Sequence, residues 1–299
     1  MTEEAELLEN ERRWRILKVR IAEENIKKAF QVFRENDIEP ILIKGWAAAI
    51  EYPEKQQRPF SDMDLSVAPG QFEKALALLE FGNVRNLNID LHRGLRHLDT
   101  VEWEETLANS RLELIDEIPV RVLSREDHLR VLCVHWLTDG GAYREKLLDI
   151  FYILENKERS FDWEKCFAPI DDKRRGWIIK TIAVVHKYYP LDVSRIPFRN
   201  ELDSVPVWLI RALEKEWASD RKLQPILGTL TTKNEFWKQI KKRFPPNAIE
   251  ATVDMNGYFD ESSRFYYQVG SVFVRLKPSM RRALHFFKES LRMKFKKEK

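Results

Sequence analysis

In the first hundred residues, the spacing of hydrophobic and polar positions is that of a helix in some segments and that of a strand in others. Apolar residues recur at helical spacing over Leu7–Glu35, which predicts one long helix or a pair of helices with a solvated charged face. Residues 38–45 are typical of a buried strand that ends in Lys-Gly. Residues 62–67 alternate apolar and polar side chains, and residues 85–92 also have strand character. Three strands are therefore expected in this part of the chain.

Helices and strands continue to interleave up to residue 123. Residues 69–81 form an amphipathic pattern with Pro near its start and Gly82 just after its end, as helices often have. A short helix is predicted over 102–109, and strands over 111–115 and 120–123. This order predicts an α+β (mixed α/β) fold, in which a mixed sheet is flanked by helices.

The remainder of the chain is predicted to be mostly helical. Ser124 and Asp127 resemble a capping box at the start of a helix that runs to about Leu137. We therefore predict three regions: an N-terminal helical segment at 1–37 that packs on the core, the core itself at 38–123, and a mostly helical region at 124–299.

Composition limits the class of protein. The chain has 299 residues, of which 43% are hydrophobic and 33% charged, and its net charge of +3 is too small to imply nucleic-acid binding by itself. Cys133 and Cys166 lie in apolar surroundings, so reduced, buried thiols are expected. The N-terminus lacks the pattern of a signal peptide, and no apolar run is long enough to span a bilayer. We expect a cytoplasmic protein with no transmembrane segment.

Positive charge is concentrated at the C-terminus. Residues 280–299 contain eight Lys or Arg residues against two Glu, a net charge of +6. A basic amphipathic helix of this kind is able to contact RNA, anionic lipid or an acidic partner. The alternative is a docking helix with a frayed, solubilising end.

Candidate chemistry begins with two carboxylates on the strand at 62–67. Successive side chains of a strand alternate between its faces, so Asp62 and Asp64 project from the same side with Cα atoms roughly 6–7 Å apart. Two such carboxylates are tolerated where a hard cation such as Mg²⁺ neutralises them. The alternative is an edge strand whose polar face meets water.

Two neighbouring segments favour the metal site. Lys44 and Gly45 lie between a strand and a short helix, where backbone N–H groups and the lysine charge make an anion site. Downstream, Asp90 and His92 share one face of the strand at 85–92. Carboxylates on adjacent strands beside a phosphate site are suited to two-metal phosphoryl transfer.

Three further polar residues allow more than one role. Arg58 could bind a triphosphate through its planar guanidinium or pair with one of the two aspartates of the nearby strand. For His128 we favour an exposed or capping role at a helix start. Asp149 has apolar neighbours in the sequence, and we favour a structural pairing with a cation over a place in the site.

The order of these motifs resembles a known family. The segments are Ile-Lys-Gly at 43–45, Arg-Pro-Phe-Ser-Asp-Met-Asp-Leu at 58–65 and Ile-Asp-Leu-His at 89–92. Together they are similar to the uncharacterised bacterial nucleotidyltransferase family of the DNA polymerase β-like superfamily. The later segments 124–129, 133–136 and 147–150 are similar to its helical continuation, so the resemblance covers about 35–155.

The resemblance implies a nucleotidyltransferase fold and a metal-dependent activity. A nucleoside monophosphate would pass from an NTP such as ATP to an acceptor with release of pyrophosphate, and Mg²⁺ or Mn²⁺, in two ions, would assist. The implied catalytic and metal-binding residues are Asp62, Asp64 and Asp90. The implied nucleotide-binding residues are Lys44, Gly45, Arg58 and His92. The wider superfamily often has Gly-Ser where this chain has Lys-Gly, so the binding of the γ-phosphate stays open.

The acceptor is not defined by the sequence. It is a small molecule, a protein side chain or an RNA, selected by the helical C-terminal region. Two other functions stay open: a catalytically silent nucleotide-binding or scaffold module, and a toxin-like enzyme that modifies tRNA or protein. A salt link in the place of the metal ions, or an Asp90 side chain turned away from the other two carboxylates, would count against the enzyme.

Overall fold

A computed structural model describes the protein over residues 3–60, 62–95, 98–156, 160–219 and 233–275. The predicted basic helix at 280–299 lies outside these ranges. Within them, no helix combines the length and the apolar character needed to cross a bilayer.

A five-stranded mixed sheet forms the centre of the described fold, in the order β3-β2-β1-β5-β4. The strands are β1 Ile41–Ile43, β2 Met63–Val67, β3 Ile89–Arg93, β4 Arg111–Ile115 and β5 Ile118–Val122. The β1 strand pairs antiparallel with β2 and parallel with β5, while β2 and β3 are parallel and β4 and β5 antiparallel. Because helices flank this sheet, the predicted α+β fold is confirmed.

Helices connect the strands and make up most of the remaining described chain. They are α1 Glu3–Glu35, α2 Gly45–Ala49, α3 Phe72–Phe81, α4 Trp103–Asn109, α5 Arg125–Thr138, α6 Leu147–Glu155, α7 Trp163–Phe167, α8 Asp172–Tyr188, α9 Val207–Trp217, α10 Lys233–Arg243 and α11 Ala248–Asp254. Residues 265–275 are also helical. The α1 segment is one continuous helix, which decides between the two predicted arrangements.

The strands place successive side chains in different apolar clusters. Leu42 of β1 packs in a cluster with the C-terminal half of α1, which contributes Ile26, Phe30 and Phe33. Its neighbours Ile41 and Ile43 pack in a second cluster that includes Val131 of α5. This alternation is the period of a strand that is buried on both faces.

The N-terminal half of α1 continues the apolar stripe beyond the core. Trp14, Leu17 and Ile21 have the same helical spacing as the buried residues, yet they are 63%, 47% and 53% exposed. Burial begins near Glu23, whose carboxylate accepts a 3.0 Å hydrogen bond from Nε1 of Trp46. The C-terminal half of α1 is therefore fixed on the sheet, and the preceding turns present apolar side chains to solvent.

The chain divides into two compact units. The first comprises Met1–His135, Glu145–Asp171 and Val185–Asn200, and it contains the whole sheet. The second comprises Trp136–Arg144, Asp172–Val184 and Glu201–Lys299.

Ring contacts and hydrogen bonds to backbone are among the contacts that hold the described second unit together. The indole of Trp177 donates to the carbonyl of Gly257 at 2.8 Å, and Trp208 stacks on Phe259 with ring centroids 5.6 Å apart. The Trp177 bond joins 172–184 to the C-terminal stretch, and the indole of Trp217 joins that stretch to 136–144 by donating to the carbonyl of Gly141 at 2.8 Å.

Candidate active site

The turn between β1 and α2 has an unusual backbone. Lys44 has φ +58° and ψ −160°, and Gly45 follows with φ +46°. Positive φ is easy for glycine but uncommon for other residues, and such strain is found mostly at functional sites. The Lys44 ammonium lies 2.6 Å from Oδ1 of Asp64 on the neighbouring strand.

The pairing of β2 with β3 brings together side chains that are far apart in sequence. Asp64 is the register partner of Asp90, and Ser66 is the partner of His92. The imidazole Nε2 of His92 lies 3.0 Å from Oδ1 of Asp64 and 3.4 Å from Oδ2 of Asp90. Asp64, Asp90 and His92 each offer a ligand atom, and these atoms lie within 4.8 Å of one another.

Asp64 is a buried carboxylate held in its ionised form. The residue is 5% exposed, and burial by itself would raise the pKa of its carboxyl group. The hydrogen bond with His92 and the positive charge of Lys44 outweigh burial, so the pKa lies below its ordinary value. Asp90, in contrast, has a side chain that is 60% exposed.

This donor set fits a divalent ion. Two carboxylates suit Mg²⁺ or Mn²⁺, and the imidazole is a further nitrogen ligand that transition metals accept. Oδ1 of Asp64 is already in contact with Lys44 and His92. A metal ion that uses this oxygen therefore has to compete with the lysine ammonium.

Asp62 does not belong to this close group of ligand atoms, although it lines the same cavity as Asp64. It is exposed and comes just before β2, which begins at Met63, so pairing within the sheet does not orient its side chain. Among the described residues, the group with ligand atoms within 4.8 Å consists of Asp64, Asp90 and His92.

Arg58 binds a carboxylate outside the cluster. Its Nε and Nη2 atoms lie 3.0 and 2.8 Å from the two oxygens of Asp149, and Tyr52 donates its hydroxyl to the same carboxylate at 2.7 Å. Burial lowers the pKa of Arg58, but Asp149 outweighs it and raises that pKa, with a smaller contribution from Asp62. The predicted structural pairing of Asp149 with a cation is confirmed.

The predicted exposure of His128 is wrong. Ser124 caps α5 as expected, because its hydroxyl accepts a 3.2 Å hydrogen bond from the backbone N–H of Asp127. The first turn of this helix packs inward, however, and His128 is 1% exposed. Burial, followed by the charges of Arg111, Arg58 and Lys44, lowers its pKa to about 3, so it is neutral at pH 7.

A cavity of about 310 Å³ adjoins the cluster. It is lined by α1, the β1–α2 turn, the start of β2 and the segment before β3, and both Lys44 and Asp64 contribute to its wall. The α1 positions Ile21, Ala22 and Asn25 were not predicted as site residues. Their spacing shows that they share a helix face, but nothing local in the sequence places that face beside the paired aspartates.

The class defined by this arrangement is a mixed α/β domain with acidic side chains on the adjacent strands β2 and β3. A comparison with family models matches residues 2–85 to a family described as uncharacterised nucleotidyltransferase. The match spans less than a third of the chain and ends before β3, so it includes Lys44, Asp62 and Asp64 but neither Asp90 nor His92. Searches of curated proteins and of solved structures find no match. The family match supports a transferase-type enzyme that uses an NTP.

Proposed function

We propose that the protein is a metal-dependent nucleotidyltransferase that moves a nucleoside monophosphate from an NTP to an acceptor and releases pyrophosphate. The observation that carries this proposal is the register of β2 and β3, which places Asp64 beside Asp90 and His92. A binding module has little reason to gather acidic groups on adjacent strands, because like charges repel unless a cation joins them.

The cluster supplies the ligands for the metal. Asp64, Asp90 and His92, with Asp62 as a further carboxylate, would hold one or two Mg²⁺ or Mn²⁺ ions. When bound, the metal would polarise the α-phosphate and neutralise charge on the attacking and leaving oxygens.

The protein's own residues have separate tasks in the transfer. An acceptor hydroxyl would form the new bond to the α-phosphorus while the bond from that phosphorus to the bridging oxygen of pyrophosphate breaks. Asp90, with its exposed carboxylate, would accept the hydroxyl proton. Lys44 would bind the triphosphate as a point charge, and Gly45 would let the backbone approach it.

Arg58 and Asp149 serve this site by positioning. Because Asp149 holds the guanidinium with two hydrogen bonds, the backbone at 58 has a fixed place four residues before Asp62. The arginine was predicted either to bind triphosphate or to pair with Asp62 or Asp64. Its carboxylate partner is Asp149, which is neither of these two residues, and a contact with triphosphate stays a prediction.

The acceptor and the nucleotide are the open parts of this proposal. A hydroxyl of a small molecule, a protein side chain or an RNA end would satisfy the reaction. We place the protein in the cytoplasm, where NTPs and Mg²⁺ are both present.

The ion pair of Lys44 with Asp64 favours a second candidate function. A lysine that neutralises the buried carboxylate permanently would leave the metal with fewer ligands, and the domain would then bind nucleotide without turning it over. This is the catalytically silent module.

The proposal is tested by incubating the protein with ATP, GTP, CTP or UTP, each labelled at the α-phosphate, in the presence of Mg²⁺ or Mn²⁺. We expect release of pyrophosphate with at least one NTP, with label on water, on an added acceptor or on the protein. Asp64→Asn combined with Asp90→Asn should reduce that release by more than about 100-fold, because even outer partners of metal ligands contribute up to this much.

Asp116→Asn is the control, because this exposed aspartate pairs with Lys27 away from the cluster. Turnover that survives the double substitution would contradict the proposed site. If calorimetry shows that an NTP binds, but none of the four NTPs releases pyrophosphate, the protein is the silent module instead.

A further inference from the structure

The cavity beside the acidic cluster has one wall that the proposed reaction does not use. Lys18, Ile21, Ala22 and Asn25 line it from α1, at spacings of three, four and seven residues that define a single helix face. The following turns of the same helix are buried in the core, so this wall is anchored to the sheet.

Apart from Lys18, the side chains of this wall suit an uncharged ring system. Ile21 is 53% exposed although it is a large apolar residue, and a ligand that covers it gains hydrophobic burial. Phe60, which is only partly buried against the core, adds apolar surface next to β2. A bare phosphate gains nothing from such surface, since burial of a charge without a partner is costly.

Two amide side chains complete the lining, Asn25 on α1 and Asn88 just before β3. An amide offers a hydrogen-bond donor and an acceptor side by side, which matches the edge of a nucleobase. The volume of about 310 Å³ lies at the lower end of the range for small-ligand sites, as expected for a single nucleoside.

The same cavity includes Lys44 and Asp64 in its wall, so it is continuous with the groups assigned to the triphosphate and the metal. We propose that it holds the nucleoside part of the substrate NTP, with the base against the α1 face and the phosphates towards Lys44. This inference rests on the proposed nucleotidyltransferase function, and it assigns α1 the selection of the nucleotide.

Ala22→Phe tests the assignment, because the added phenyl ring occupies the space proposed for the base. Binding is measured by calorimetry with Ca²⁺, first with each NTP and then with inorganic tripolyphosphate, which has the phosphates but no nucleoside. We expect Ala22→Phe to weaken binding of the preferred NTP by at least about tenfold, and to leave tripolyphosphate binding unchanged.

Ala5→Phe is the matched control, since residue 5 lies on the same helix about 25 Å further along its axis and outside the cavity. Asn25→Leu provides a second variant, which keeps the side-chain size and removes the amide. Asn25→Leu should also weaken the binding of NTP and leave the binding of tripolyphosphate unchanged. If thermal unfolding shows that Ala22→Phe does not fold, Asn25→Leu is the variant that tests the nucleoside site.

The outcomes separate this inference from the proposed function. Unchanged NTP affinity in both folded variants would overturn the nucleoside site and leave the metal and phosphate residues untouched. Equal weakening of NTP and tripolyphosphate would also overturn it, because the substitution would then act on the phosphate end. If the wild-type protein binds neither probe, the proposed function itself fails.

Discussion

Lys44 and Asp64 form a short ion pair in a part of the protein where charge is expensive. The Asp64 side chain is 7% exposed and the Lys44 side chain 15%, so water solvates neither group well. An unpaired buried charge costs several kcal/mol, and the lysine removes that cost in the absence of metal. The same contact makes the lysine a competitor of any cation that binds Asp64.

Replacement of Lys44 by methionine should therefore strengthen metal binding in the absence of nucleotide. We expect Lys44→Met to bind Mn²⁺ at least about tenfold more tightly than the wild-type protein, because a positive charge 2.6 Å from the ligand oxygen is removed. Electron paramagnetic resonance or calorimetry with Mn²⁺ alone measures this. With NTP present the difference should shrink or reverse, because the variant lacks the charge that binds phosphate.

Lys27→Met controls for the loss of one positive charge, since Lys27 pairs with Asp116 on the surface. Weaker or unchanged Mn²⁺ binding by Lys44→Met would show that the lysine supports the ligands without occupying the place of the metal.

Single residues differ in how well the local sequence predicts their role and their partners. Asp62 and Asp64 are recognisable from a local strand pattern, as is the cap formed by Ser124. The partner of Arg58 lies 91 residues away, and no local pattern identifies it. His128 was assigned wrongly because helix-start polar residues are usually solvated, whereas packing of α5 buries this one.

At the level of secondary structure, the sheet places its ligands by register. Asp64 and Asp90 are partners because of the register in which β2 and β3 pair, and a shift of one residue would turn one side chain to the opposite face. The sequence predicts both strands, but β1 is shorter than 38–45 because 38–40 are irregular and α2 already begins at Gly45. The β3 strand starts later than predicted because residues 85–86 form a turn. Strand order depends on contacts between distant segments, so periodicity alone does not reveal it.

Substitutions in the β1–α2 turn are expected to be poorly tolerated, because its backbone has two consecutive residues with positive φ. Gly45→Ala should lower the free energy of unfolding by about 1–2 kcal/mol, because φ +46° is strained for any residue with a Cβ. Urea denaturation followed by circular dichroism measures the change. A rearranged turn should also weaken NTP binding, since Lys44 is the preceding residue.

Gly70→Ala is the matched control, because a Cβ at this position meets nothing within 4 Å and φ is not in the strained range. Its effect should stay within about 0.5 kcal/mol. Equal unfolding free energies for the two variants would mean that the turn relaxes without cost.

On the scale of the whole chain, the unit that contains the sheet is assembled from three separate stretches. The bond between Arg58 and Asp149 links the first stretch to the second, and Glu51 joins the same two stretches by accepting a 2.9 Å hydrogen bond from Asn156. The carboxylates of Asp149 and Glu51 are buried, so we expect these contacts to stabilise the unit more than exposed ion pairs do.

Loss of Asp149 should accordingly destabilise the unit strongly. Asp149→Leu leaves the Arg58 guanidinium buried without its carboxylate, and we expect a loss of about 3–5 kcal/mol in unfolding free energy. Arg58→Met in the same chain should recover much of it, because neither charge is then left unpaired. Urea denaturation of the single and double variants measures both effects.

Glu201→Gln is the comparison, since its ion pair with Arg175 is well exposed and should contribute less than about 1 kcal/mol. If Asp149→Leu costs no more than this surface substitution, the Arg58 pair is not a structural link.

The discontinuous make-up of this unit has a practical consequence for anyone who shortens the gene. A clone that stops at residue 85, where the family match ends, encodes neither Asp90 nor His92. One that stops at residue 135 restores both and still leaves Arg58 without Asp149. The shortest uninterrupted reading frame that covers all three stretches runs to Asn200, and it necessarily carries residues 136–144 and 172–184 of the other unit with it.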